Sequence, residues 1–200
     1  MNHILHCNQL DQKFLTKIAF LDSKQRESLI PPELLIQQMP INKNHTLLDV
    51  GAGTGFFTIP MAESTTNKVY AIDPDQRMLR VIKDKAREKG LTNIMLIQDY
   101  IEDLSIESNS VDFAMASLIL HEVSSLTKVL SIIFEVQRKG GHLLCIEYEI
   151  DDLIIEGPPM SIRISSEELK KTLSLIGFEI VKKTKINDAI YTVLAVKREM

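Results

Sequence analysis

The stretch LLDVGAGTGFFT, Leu47 to Thr58, places Gly51, Gly53 and Gly55 at alternate positions directly after a short β-rich run. Glycine is needed where a chain turns sharply and where a ligand presses on backbone without an intervening Cβ. A helix following such a loop turns free N–H groups and the positive end of its dipole toward an anionic group. Asp73 closes a second β-rich run, 22 residues after Gly51, where a carboxylate can accept both hydroxyls of a ribose. Asp49, two residues before the first glycine, can orient the loop and approach an ammonium group. Asp99 ends a third run, LIQDY, where it can accept a hydrogen bond from an adenine amino group. A turn acid or a helix cap is the alternative account of Asp49 and Asp73. Strand, glycine loop, helix, second strand and acid, in that order, point to an adenosine-containing ligand.

The spacing separates two such ligands. A dinucleotide loop reads GxGxxG, and its third glycine would fall at position 56, which is Phe56. A bulky side chain there opposes the close helix packing that a dinucleotide site requires, so a nicotinamide-dependent oxidoreductase is disfavoured. His121 follows the fourth β-rich run at the edge where open α/β sheets bind ligands, and is the candidate general base for an acceptor that keeps its proton. Its alternative role is to close the pocket wall or start a helix. Glu122, Glu147 and Tyr148 are weaker candidates, with solvent-facing polarity the expected role of the last two. Phe56 and Phe57 are expected in the core of the first helix after the loop rather than as stacking platforms.

These residues need strands and helices to position them. Thr46–Val50, Lys68–Asp73, Asn93–Gln98, Val111–Ser117 and His142–Tyr148 are mostly apolar without strict alternation, as in parallel strands covered on both faces. Between them lie helical patterns. Met78, Leu79, Ile82 and Ala86 share a face in a helix ended by Gly90. Leu126, Val129, Leu130, Ile133 and Val136 form another, capped by Ser124 or Ser125 and stopped at Gly140-Gly141. Ser165-Ser166-Glu167-Glu168 is a capping box for a helix carrying Leu169, Leu173 and Ile176, with Gly177 at its end. This alternation predicts a doubly wound, Rossmann-like α/β sheet, mostly parallel. Phe178–Lys183 and Ile190–Lys197 are too close for a crossover helix and predict an antiparallel C-terminal hairpin, with Lys182, Lys183 and Lys185 as a solvated face protecting the sheet edge. Residues 1–44 read as a helical cap or lid, with Phe14, Leu15, Ile18 and Leu21 in one stripe and Pro31-Pro32 opening a helix that Pro40 stops. Residues 45–150 then form the ligand-binding core and 151–200 a helix and hairpin, all in one domain.

Composition narrows the partners. In 200 residues, 23 Lys and Arg against 27 Asp and Glu leave a net charge of −4, which lacks the broad basic field that holds nucleic acid. The apolar runs are far shorter than the ~20 residues of a membrane span, and the N-terminal residues lack the pattern of a secretion signal. Cys7 and Cys145 have neither CxxC nor zinc-ligand spacing, which fits a cytoplasmic protein without a structural metal. Cys145 is expected in a buried strand. Cys7, with His3 and His6, could hold a metal or lie in a mobile terminal segment, and the second reading is favoured.

With these motifs the sequence resembles the class I S-adenosylmethionine-dependent methyltransferases, and more narrowly the small-molecule branch that includes the ubiquinone/menaquinone-biosynthesis methyltransferases. LLDVGAGTGFFT matches the first motif with Gly51, Ala52, Gly53 and Gly55; AIDPD, with Asp73 and Pro74, matches the second; and LIQDY matches the adenine-side motif. VDFAMASLILHEV matches the fourth strand and its loop. The resemblance implies a seven-stranded sheet with reversed final strands and S-adenosylmethionine as cofactor. It implies that Gly51, Ala52 and Gly53 pack against the methionine part, Asp73 holds the ribose, Asp99 and Tyr100 hold the adenine, and Ser117 with Leu118 lines the sulfonium side. The methyl acceptor is then a small molecule. Nucleic-acid amino-methyltransferases resemble one another in an Asn/Asp-Pro-Pro-aromatic motif, and Ser117-Leu118-Ile119-Leu120 stands in its place. A module that binds the cofactor without turnover remains the alternative.

Overall fold

A computed structural model describes residues 2–155 and 157–198, with side chains from residue 12 onward. The candidate cluster of His3, His6 and Cys7 therefore lies outside the described side chains. Helices α1 (Asn2–Leu21), α2 (Lys24–Leu29) and α3 (Pro32–Gln37) precede the first strand. The chain continues through β1 (Leu47–Val50), α4 (Thr58–Ser64), β2 (Val69–Ile72), α5 (Gln76–Glu88), β3 (Ile94–Ile97), β4 (Val111–Ser117), α6 (Leu126–Val136), β5 (Gln137–Tyr148) and α7 (Ser166–Ile176). It ends in β6 (Phe178–Lys185) and β7 (Ile190–Lys197).

The seven strands lie in the order β3-β2-β1-β4-β5-β7-β6. Every pairing up to β5 is parallel, and β7 is antiparallel to both neighbours. The expected fold class is borne out. Non-alternating apolar strands follow from helices on both faces: Leu47, Phe113, Met115, Leu144 and Ile146 pack in one buried cluster, while Leu48, Val50, Ala114, Ala116 and Cys145 pack in another. The outer strand β3 is the exception, with Met95 and Leu96 exposed at the sheet edge.

Local signals behave as their chemistry requires. Asp75, Ser125 and Ser165 each cap a helix by accepting a backbone N–H, from Arg77, Lys128 and Glu168 respectively. The lysines of β6 are exposed on the outer strand. Two expectations need correction. Gly140-Gly141 does not stop α6, because Gln137 already caps that helix and pairs with Val111 as β5 begins. The glycines lie in an irregularity that shifts the register to Phe113↔His142, and a Cβ on Gly141 would come within 2.8 Å of the Arg138 carbonyl. Leu15 is 57% exposed, so the inward face of α1 runs through Phe14, Ile18 and Leu21 without it.

Candidate functional site

The strand order reverses between β1 and β4, the position where the loops on either side diverge and open a crevice at the carboxyl ends of the strands. The glycine loop after β1, Asp73 after β2, Asp99 after β3, Ser117 and Leu118 at the end of β4, and Glu147 near the end of β5 all lie at that edge. Two cavities open there. The smaller, about 120 Å³, is lined by Gly51, Pro74, Asp99, Tyr100 and Ile119 among others. The larger, about 630 Å³, lies between the core and the N-terminal helices, with Leu118, His121 and Tyr148 on one side and Phe20, Arg26 and Leu29 on the other. Glu122 borders both.

Asp73 ties the first two loops together. Its Oδ2 accepts the Gly53 N–H at 2.9 Å and its Oδ1 accepts the Asp75 N–H at 2.8 Å. The helix cap proper is Asp75, so the alternative account of Asp73 as the cap fails. Burial raises the Asp73 pKa against the pull of those two N–H groups. Asp49 is buried within β1, accepts the Thr58 hydroxyl at 2.6 Å and has its pKa raised to about 7, chiefly by burial. Asp73 therefore clasps the middle of the glycine loop, while Asp49 joins its two ends through Thr58. That loop winds through turns to Phe57 before α4 begins at Thr58, so the helix starts later than the motif suggested. Ala52, Thr54 and Gly55 are buried beneath it. Phe57 is buried ahead of α4, but Phe56 is only half-buried and lies under the Arg26 guanidinium, 4.2 Å from its ring centre.

Gly51 has φ +68, and a Cβ there would run into the Ile119 side chain. Gly90 has nearly the same φ, +67, with nothing near its missing Cβ. Gly51→Ala is therefore expected to cost about 2–4 kcal/mol and Gly90→Ala about 1 kcal/mol, read as the difference in midpoint of thermal or denaturant unfolding. Leu118 carries φ +54 without being glycine, a strained conformation of the kind that gathers at functional sites. Ser117 beside it is buried, and its Oγ has no hydrogen-bond partner among the described residues.

Past Leu118, the chain turns through Leu120–Glu122 and brings His121 against β5. Glu147 is 1% exposed, which corrects the expectation of solvent-facing polarity. Its Oε1 accepts the Leu120 N–H at 2.8 Å and its Oε2 lies 2.7 Å from His121 Nδ1. An ionised carboxylate can only accept, so Nδ1 carries the hydrogen, and in the neutral ring Nε2 keeps the lone pair. The His121 side chain is 7% exposed. Burial alone would lower its pKa, but the hydrogen bond and charge of Glu147, together with the charge of Glu122, leave it raised. Tyr148 also turns inward, lining the larger cavity and packing against Gly157. Asp99 and Tyr100 border the smaller one, Tyr100 well exposed.

Two groups carried no motif. Arg163 is buried and donates to the carbonyls of Pro158, Glu149 and Ile154, folding the segment after β5 over the cavity. Arg26 enters from α2, within the stretch that the sequence marks only as a helical cap or lid.

A family model for a methyltransferase domain matches residues 41–197. The chain belongs to this family. A demethylmenaquinone methyltransferase of Geobacillus stearothermophilus is 32% identical over 115 residues, which is 56% of this chain and 49% of that protein. This methyltransferase domain thus spans about half the length of the curated relatives it matches. A crystallised SAM-dependent methyltransferase from Aquifex aeolicus is 26% identical, with a TM-score of 0.83, covering 91% of this chain and 97% of its own. The [4+2]-cyclase SpnF, 20% identical with a TM-score of 0.78 over 89% of this chain and 83% of its own, is alike in fold. No helix among the described residues is long and apolar enough to cross a membrane.

Proposed function

We propose that this domain is an S-adenosylmethionine-dependent methyltransferase acting on a small molecule, with His121 as general base. The observation that carries this reading is the convergence, at one sheet edge, of the Asp73-clasped glycine loop and the Glu147-backed His121, on the walls of two adjoining cavities.

The residues fit the cofactor. Asp73 has a half-buried carboxylate for the ribose, Asp99 and Tyr100 border a cleft for the adenine, and the orphaned Ser117 Oγ lies next in sequence to Leu118, which lines the larger cavity. The buried Asp49 suits an ammonium group, which would favour its ionised form. Gly51, Ala52, Gly53, Gly55, Pro74 and Leu118 shape the passage around these groups. When bound, S-adenosylmethionine supplies a methyl carbon already activated by its sulfonium, whose departing electron pair stays on sulfur. The protein then has to align an acceptor and exclude water. His121 Nε2 takes the acceptor's proton, while Nδ1–H stays on Glu147 Oε2, which stabilises the imidazolium that forms.

We assign the acceptor to the 630 Å³ cavity, within the range of small-molecule sites. Its walls come from the N-terminal helices, which act as a lid, and from the segment after β5. Similarity to demethylmenaquinone methyltransferases makes demethylmenaquinone the first acceptor to screen. A cytoplasmic site of action accords with Cys145, a buried free thiol.

Calorimetric titration with S-adenosylmethionine and S-adenosylhomocysteine tests the reading. Binding in the micromolar range, followed by methyl transfer to a screened acceptor, is the expected result. Binding without transfer would leave a cofactor-binding module, and no binding would remove the assignment.

A further inference from the structure

Carboxylates are supplied on this site for an ammonium, a ribose and an adenine amino group, while the cation already described, Arg163, is committed to three backbone carbonyls. The candidate partner for an anion is Arg26. Among the described residues only one of its terminal nitrogens is engaged, Nη1 donating to the Leu21 carbonyl at 3.0 Å. Its Nε is buried without a partner among the described residues, an arrangement that costs the full desolvation of the group unless something pairs with it. The guanidinium lies over the Phe56 ring, next in sequence to the glycine loop, and borders the larger cavity. Burial lowers its pKa, and the charges of Asp49 and Asp22 resist that effect.

The segment that presents Arg26 is fastened to the loop. Asp22 accepts the Thr54 hydroxyl and the Lys85 ammonium, both at 2.7 Å. Ser23 Oγ accepts the Arg26 N–H at the start of α2. The side chain is thus held by packing rather than left to sample solvent. With Nη1 committed, the free edge is Nε with Nη2, the planar fork that pairs with both oxygens of a carboxylate.

We propose that Arg26 is a carboxylate-binding residue of this site, its Nε and Nη2 edge receiving a planar carboxylate beside Asp49. The inference rests on the proposed cofactor reading. The carboxylate belongs either to the methionyl end of the cofactor or to the acceptor in the same cavity. In the first case Asp49 and Arg26 take the two charges of one amino-acid group, and the lid becomes part of the cofactor site.

Calorimetry with S-adenosylhomocysteine and its decarboxylated counterpart, which keeps the adenosine, thioether and amine, separates these sources. If the carboxylate is the cofactor's, the wild-type protein prefers S-adenosylhomocysteine by about 10- to 100-fold. Arg26→Met abolishes that preference, Arg26→Lys restores part of it because charge remains without the fork, and Lys17→Met, which removes another cation from the lining of the same cavity, leaves it intact. If the carboxylate is the acceptor's, both ligands bind alike, and benzoate added to the S-adenosylhomocysteine complex binds the wild type but not Arg26→Met. Comparing the two ligands on wild-type protein needs no folded variant, and Arg26→Lys serves if Arg26→Met does not fold. A preference that survives both substitutions overturns the proposal, as does equal binding of both ligands without benzoate binding. Wild-type protein that binds S-adenosylhomocysteine in those cases leaves the cofactor reading standing; wild-type protein that binds neither ligand removes both.

Discussion

Glu147→Gln is expected to lower turnover by about 100- to 10 000-fold while S-adenosylhomocysteine affinity stays within about twofold of wild type. The asymmetry comes from what Glu147 touches. One carboxylate oxygen accepts the Leu120 N–H and the other faces His121 Nδ1. Glutamine has the same shape but only one accepting oxygen. If that oxygen stays on Leu120, the amide NH2 points at Nδ1, which must then accept, and the proton moves to Nε2, where no lone pair remains to take a proton. If the amide flips, its NH2 opposes the Leu120 N–H, and a buried backbone donor loses its partner. The first arrangement removes the base and the second costs a buried hydrogen bond that holds the His121 turn against β5, and neither touches the glycine loop or Asp73.

The pH profile supplies a second readout that a purely structural role would not move. Against burial, the Glu147 hydrogen bond and charge, with the charge of Glu122, hold the His121 pKa above its ordinary value. Activity should therefore fall, as pH is lowered, through a pKa above that of free histidine. In Glu147→Gln the acid limb moves to lower pH because the imidazolium has lost its counter-charge. Stability follows the same sign. A raised folded-state pKa stabilises the protein fully below the unfolded value and loses that contribution as pH rises through the folded value. The stability cost of Glu147→Gln should thus be larger in acid than in base, measured by thermal unfolding across pH. A variant with wild-type turnover would remove His121 from the base role.

The strands were readable because a sheet covered on both faces demands continuous apolar runs, and each such run here becomes a strand shifted by no more than a few residues. The hairpin was readable for a different reason: Asn187 fills the short connection, and its Oδ1 accepts the N–H groups of Ala189 and Ile190. Burial of polar groups was not readable. Glu147 in HLLCIEY resembles any acid near a strand end, and only the return of the Leu118–Glu122 turn over β5 encloses it. Arg26 lies in KQRESL, a polar helix with no spacing signal, and its burial depends on how α2 lies over the glycine loop. Gly140-Gly141 misled because a helix stop and a strand irregularity use the same residue. Asp73 and Asp99, after β2 and β3, come to one edge because a parallel sheet puts every strand's carboxyl end there.

Asp73→Ala should weaken S-adenosylhomocysteine binding by 100-fold or more, the largest effect expected of any single change on the cofactor side. Two contributions are combined in that number. A carboxylate accepting two ribose hydroxyls makes two charge-assisted hydrogen bonds, each worth about 1.5–3 kcal/mol. The same carboxylate clasps the Gly53 and Asp75 N–H groups, so its removal also loosens the glycine loop. The loop contribution is the smaller, since each N–H at this half-exposed edge can turn to water. It should appear as a loss of about 1–2 kcal/mol, or roughly 2–8 °C in Tm for a chain of this size. A cofactor product lacking the ribose 2′-hydroxyl separates the two by a double-mutant cycle. Wild-type protein should bind that analogue at least 10-fold more weakly than the parent, and Asp73→Ala should bind the two alike. If Asp73→Ala still discriminates between them, the hydroxyl is read elsewhere and Asp73 serves only as the clasp between the loops after β1 and β2. Asp73→Asn distinguishes charge from shape, because the amide retains one acceptor for the Gly53 N–H but supplies no anion. Its unfolding midpoint should lie nearer wild type than that of Asp73→Ala, while most of the affinity loss persists.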